Sequence, residues 1–249
     1  MLTPDADPRT ERRLSPHLRG HLLQFDKRPI AKHEASAGVR LLLTAVALEV
    51  IRLAAVTWLR PSVPLWLLLP LLLGLALWAV PALAGLRLSD IGFHRWREWT
   101  RTEKSYFLQV VVFANLLFPL VLATPLRHRI VESGALSTLS GLFFPYLIFG
   151  FYQEVVYRGM VQLELGRRWG APVGILVANV LYTFGPLHWN YFWSPLALAG
   201  PMFGSIFVIG LFFGLVYARS GNLWIVAVFH AIGNAYILAS LAPLRSGAG

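Results

Sequence analysis

In this chain of 249 residues, 56% are hydrophobic and only 14% charged. That composition excludes a water-soluble globular domain, which could not hide so much apolar surface, and predicts a chain solvated mostly by lipid. The formal charge of +10 is carried by lysines and arginines strung between apolar runs rather than gathered in one patch, which argues against a nucleic-acid partner and for loops that set orientation in a bilayer. With no cysteine, a disulfide framework, a thiolate metal site and a cysteine nucleophile are excluded too.

Residues 1–38 are polar and carry Arg9, Arg12, Arg13, Arg19, Lys27, Arg28 and Lys32. They read as a basic cytoplasmic N-terminal arm, suited to anionic headgroups, and not as a cleavable signal. Apolar runs long enough for a bilayer, on the order of twenty helical residues, follow at 39–59, 62–84, 105–124, 141–165, 171–189, 197–218 and 222–243. The expected fold is all-α: a polytopic membrane protein with about seven transmembrane helices, or eight if a long run holds two, around a polar intramembrane site. Residues 39–140 form its N-terminal helices and 141–249 its core. Segment 86–104, charged and dotted with Ile91, Phe93, Trp96 and Trp99, fits an interfacial stretch or an ordinary loop equally well.

With the N-terminus inside, the inner segments hold fifteen lysines and arginines, and the outer ones only Arg60, Arg127, Arg129 and Arg245. That bias predicts a cytoplasmic N-terminus and, with an odd number of spans, an external C-terminus.

Ionisable residues inside spans are costly, so they are either paired or functional. Glu49 and Arg52 lie three apart in the first span and are read as a mutually neutralising pair. In the fourth span Glu154 and Arg158 are four apart, with the acid first, the better order for an intrahelical ion pair. Gln153 is rotated about 100° from Glu154 and must find its partner on another helix. His188 shares a face with Phe184 if the fifth helix survives Gly185-Pro186, and His230 shares a face with Asn234 in the seventh. Together these polar residues on three helices point to one shared site.

Three segments, Gln153-Glu154-x-x-x-Arg158, Phe184-x-x-x-His188 and His230-x-x-x-Asn234, resemble in kind and order the motifs of the CPBP family of CAAX proteases and bacteriocin-processing enzymes, also called Abi. The resemblance covers about residues 141–243. It implies a glutamic intramembrane endopeptidase in which the first carboxylate and the histidine of the second motif activate a water, and the third motif stabilises the oxyanion. Carried over, Gln153 takes the general-base position, His188 orients the water, His230 and Asn234 serve the oxyanion, and Glu154 and Arg158 form a supporting frame. That chemistry is physically sound, since a carboxylate accepts a proton from water while imidazole and amide donate to developing negative charge. Two histidines and a carboxylate can hold zinc, but no His-Glu-x-x-His spacing is present, so neither a metal nor another cofactor is expected.

Position 153 departs from the family's glutamate, and a neutral amide cannot take a proton from water. Three readings stand side by side: a silent homologue that binds peptides in the membrane, an active protease silenced by replacement here, or an enzyme that uses Glu154 as base. The resemblance implies a membrane-anchored protein or peptide as substrate, the lipid bilayer as the other partner, and no nucleic acid. The excess of arginine over lysine suggests a bacterial inner membrane and removal of a hydrophobic tail or propeptide, as in the myxosortase-like members.

Overall fold

The computed structural model describes residues 34–241. The basic residues of the expected arm, Arg9 to Lys32, therefore lie outside the described residues.

Eight helices and no strand occur among the described residues. Helix α1 (Ala35–Ala54) runs on through a π-helical turn (Ala55–Leu59). Then come α2 (Leu65–Ala84), α3 (Arg101–Val121), α4 (Ala123–Ser133), α5 (Ala135–Trp169), α6 (Ala171–Phe184), α7 (Leu196–Ser220) and α8 (Leu223–Leu241). Five of them, α2, α3, α5, α7 and α8, are long and apolar enough to cross a membrane, where the sequence read about seven spans. The other two it counted are α1, which carries Arg40, Glu49 and Arg52, and α6, which has only 14 residues.

Local chemistry sets several boundaries. Thr100 caps α3 reciprocally with Glu103: the Glu103 amide donates to Thr100 Oγ1 at 3.1 Å and the Thr100 amide to Glu103 Oε2 at 2.7 Å, satisfying two otherwise orphaned amides. The expected helix 171–189 stops at Phe184, because Pro186 has no amide hydrogen and forces Gly185 out of the helical region; Gly185 sits at φ −86°, ψ −165°. Residues 125–133, read as loop, belong to α4, which begins at Ala123. Segment 86–100 is a docked cap rather than an open loop: the Leu223 amide donates to the Gly92 carbonyl at 2.9 Å, His94 Nε2 to the Gly221 carbonyl at 2.9 Å, and Tyr217 to the Ile91 carbonyl at 3.0 Å. Gly92 is required there, with φ at +100° and Leu223 N only 2.9 Å from where a Cβ would stand.

Helix α5 is the centre of the molecule, packed against α1, α2, α6, α7 and α8. Outward faces stay apolar and exposed, as with Leu108, Val112 and Leu116 on α3 and Val208 and Ile209 on α7, which is what lipid solvates. Lipid tails are as apolar as leucine, so burial does not drive these helices together, and close backbone approach and polar contacts take over. Gly150 provides such an approach: a Cβ there would lie 2.6 Å from Ala231 Cα on α8. Gly150→Leu is therefore expected to wedge α5 from α8 and cost about 1–3 kcal/mol, read as a lower Tm in detergent. An unchanged Tm would show that the two helices do not meet there.

Candidate functional site

One turn beyond Gly150 the contact between α5 and α8 becomes polar. His230 Nδ1 lies 2.7 Å from Glu154 Oε1, and Asn234 Nδ2 donates to Gln153 Oε1 at 2.8 Å. Two adjacent residues on α5 thus meet two residues four apart on α8. The partner that Gln153 needed from another helix is Asn234. Gln153, Glu154, Arg158 and His230 are all buried, Glu154 and Arg158 completely.

Glu154 does not hold Arg158 alone, as the spacing had suggested. Arg158 Nε is 3.5 Å from Glu154 Oε2, an ion contact too long for a good hydrogen bond, while the short bond from Glu154 goes to His230. The guanidinium turns its Nη2 to the Gly210 carbonyl at 3.1 Å and lies 5.1 Å from the Tyr182 ring centroid. This contact belongs to a polar seam along α7, in which Asn179 donates to the Phe207 carbonyl at 3.0 Å and Gln162 to the Gly214 carbonyl at 2.8 Å. The seam needs Gly210, because a Cβ there would collide with Asn179 Oδ1.

His188 reaches the site by a route the helical spacing does not describe. It is not on the face of Phe184, which turns instead toward Phe203 and Phe207 of α7. After the break at Gly185 the chain folds back, with the His188 amide 3.2 Å from the Gly185 carbonyl, and His188 Nδ1 donates to the Tyr182 carbonyl at 2.9 Å. The ring of Tyr182 stands edge-on between the two imidazoles, 5.1 Å from His188 and 5.9 Å from His230. Its hydroxyl is 3.2 Å from His230 Nε2. Tyr182 therefore joins His188 to the α5–α8 pair.

A second polar group lies on the α1 side of α5. Arg52 and Glu49 pair at 2.9 Å, and Glu49 also accepts from the Tyr157 hydroxyl at 3.1 Å and from the Tyr152 hydroxyl at 3.2 Å, which shares its hydrogen with the Leu48 carbonyl at 3.0 Å. Five residues apart, those tyrosines would stand about 140° apart on an α-helix. The π-helical stretch Val155–Gln162 widens the turn so that both reach one carboxylate, and such widenings are frequent at functional sites. Tyr157 is edge-on to Tyr182 at 5.4 Å, so the two polar groups share an aromatic wall.

An apolar groove of about 700 Å³ opens between α3 and the α7–α8 pair, walled by Val112, Phe113, Phe212, Phe213 and Phe229. Phe213 lies 5.2 Å from the His230 ring, so the groove ends beside the polar site. Among the described residues no group of three or more histidine, aspartate or glutamate side chains is placed to hold a metal ion.

Sequence reasoning missed Tyr182, whose part depends on a backbone reversal that no spacing reveals, and the two tyrosines on Glu49. The signal available for the latter was their position beside the motif residues, Tyr152 directly before Gln153 and Tyr157 directly before Arg158.

Residues 135–236 match the family described as Type II CAAX prenyl endopeptidase Rce1-like. The match begins with α5 and ends two residues past Asn234. It takes in Gln153, Glu154, Arg158, Tyr182, His188, His230 and Asn234, and leaves Glu49 and Arg52 outside. Neither the curated proteins nor the solved structures gave a match.

Proposed function

We propose, from the match of residues 135–236 to the Rce1-like family of CAAX prenyl endopeptidases, that this multi-pass membrane protein is built as an endopeptidase that hydrolyses a peptide bond in or beside the bilayer. In this reading a water sits between position 153 and His188. His188 orients it, Asn234 and the His230 wall stabilise the oxyanion, and Glu154 with Arg158 holds the frame. The observation that carries the reading is the double pairing of Gln153 with Asn234 and Glu154 with His230, which brings the first and third motifs into one place within the matched segment.

Gln153 limits what the site does as it stands. The amide accepts a hydrogen bond but does not take up a proton, so we propose that the chain binds its substrate and cleaves it weakly or not at all. A non-catalytic, peptide-binding role is the second reading, and the same glutamine favours it. The groove ending at Phe213 suits the apolar tail or propeptide of a membrane-anchored protein, approaching sideways from lipid. We place the core at 141–249, after the helices of 39–140 and a basic arm over 1–38, in a bacterial inner membrane with the N-terminus in the cytoplasm.

Two experiments test this. Co-expression with membrane proteins bearing hydrophobic C-terminal tails, followed by mass spectrometry of the substrate ends, should reveal a discrete new terminus once position 153 carries a carboxylate; intact tails throughout would leave only the binding role. Reporter fusions should place the N-terminus inside and the C-terminus outside, from the fifteen-to-four basic asymmetry. Two termini on one side would refute that topology.

A further inference from the structure

Tyr182 is in contact with both histidines of the site and with Arg158, and it belongs to none of the three motifs. It lies near the end of α6 and is 6% exposed. Its carbonyl takes His188 Nδ1 at 2.9 Å, its hydroxyl meets His230 Nε2 at 3.2 Å, and its ring lies 5.1 Å from the Arg158 guanidinium.

The donor and acceptor inventory then fixes which nitrogen carries the hydrogen in each neutral imidazole. A carbonyl oxygen only accepts, so His188 carries its hydrogen on Nδ1, and in the neutral ring Nε2 is left as a lone pair. A glutamate carboxylate beside a guanidinium likewise accepts, so His230 carries its hydrogen on Nδ1 toward Glu154. The Nε2 of neutral His230 then accepts from the Tyr182 hydroxyl. A chain runs Tyr182 O–H to His230 and His230 N–H to Glu154, all in buried surroundings where such a chain is strongest. Both ring nitrogens of neutral His230 are thereby occupied. Asn234 Nδ2 carries a second hydrogen besides the one it gives to Gln153 Oε1.

We propose that Tyr182 is a positioning residue that sets the tautomer and orientation of both histidines: its carbonyl leaves His188 with an outward Nε2 lone pair for water, and its hydroxyl locks His230 onto Glu154. Asn234 is then the donor that faces the oxyanion, with His230 acting behind it. The catalytic part of this inference rests on the protease reading above, and the tautomer part does not.

The test uses Tyr182→Phe, which removes the hydroxyl and keeps ring and carbonyl. Side-chain 15N NMR of the histidine-labelled protein, assigned with His188→Gln and His230→Gln, is expected to show Nδ1 protonated on both rings in the unaltered chain. In Tyr182→Phe the His230 Nε2 resonance should move while His188 stays put. An unprotonated Nδ1 on either ring, or an unmoved His230 signal, overturns the proposal, and the spectrum of the unaltered chain decides the tautomers even if the variant does not fold. In the Gln153→Glu background Tyr182→Phe is expected to lower kcat about tenfold with KM unchanged, the worth of one buried hydrogen bond felt in the transition state. An unchanged kcat in a cleaving background overturns the positioning role. A background that does not cleave speaks against the protease reading alone and leaves the tautomers to the spectra.

Discussion

Gln153→Glu is expected to create or raise proteolysis by about a hundred- to ten-thousand-fold, the usual worth of a positioned general base. The replacement is nearly isosteric, and the oxygen that accepts from Asn234 at 2.8 Å has a counterpart in the carboxylate, so the contact between α5 and α8 survives it. What changes is the second terminal atom, from an amide nitrogen that donates to an oxygen that accepts a proton. The gain must vanish when His188 is changed to Ala, because water has to be oriented as well as deprotonated. Mass spectrometry of substrate ends, with and without His188→Ala, measures both effects. If the chain cleaves as it stands and still cleaves after Gln153→Ala, position 153 is not the base and Glu154 takes its place.

Glu154→Gln carries the largest expected loss of stability. Glu154 and Arg158 are completely buried, and the carboxylate lies 3.5 Å from the guanidinium. An amide at 154 still accepts from His230 but strands the arginine's charge, and breaking a buried pair in this way costs about 3–5 kcal/mol. His188→Ala should cost less, since His188 is only half-buried and its hydrogen bond ends on a backbone carbonyl. Thermal unfolding of both variants in one detergent compares them directly. Equal Tm values would mean that Glu154 does not hold Arg158.

The legible part of the site is the part written in helical spacing. His230 and Asn234, four apart, do share a face, and Gln153 does take its partner from another helix. Where the backbone leaves α-helical geometry, spacing stops being a guide. The π-helical stretch after Glu154 brings Tyr152 and Tyr157 onto Glu49, although α-helical spacing would set them apart. The break at Gly185-Pro186 sends His188 back to Tyr182 and leaves Phe184 facing α7. The same limit applies to the fold. Polar punctuation such as Arg127 and Arg129 read as loop where α4 stands, and an apolar run across 171–189 read as one span where α6 ends after 14 residues. Apolar composition identifies lipid-solvated helices well, but it does not reveal which of them turn, widen or stop.

The site stands on the approach of α5 to α8, which delivers Gln153 to Asn234 and Glu154 to His230. Thiol cross-linking tests that approach most directly, because the chain contains no cysteine and two can be introduced without background. In the Gln153→Cys/Asn234→Cys variant a short bifunctional thiol reagent is expected to join the two peptides, as read by mass spectrometry. The same reagent should join nothing in Gln153→Cys/Val131→Cys, whose second cysteine replaces an exposed residue on α4. Failure of the 153–234 pair to cross-link, while both cysteines still react with a monofunctional reagent, would contradict the account.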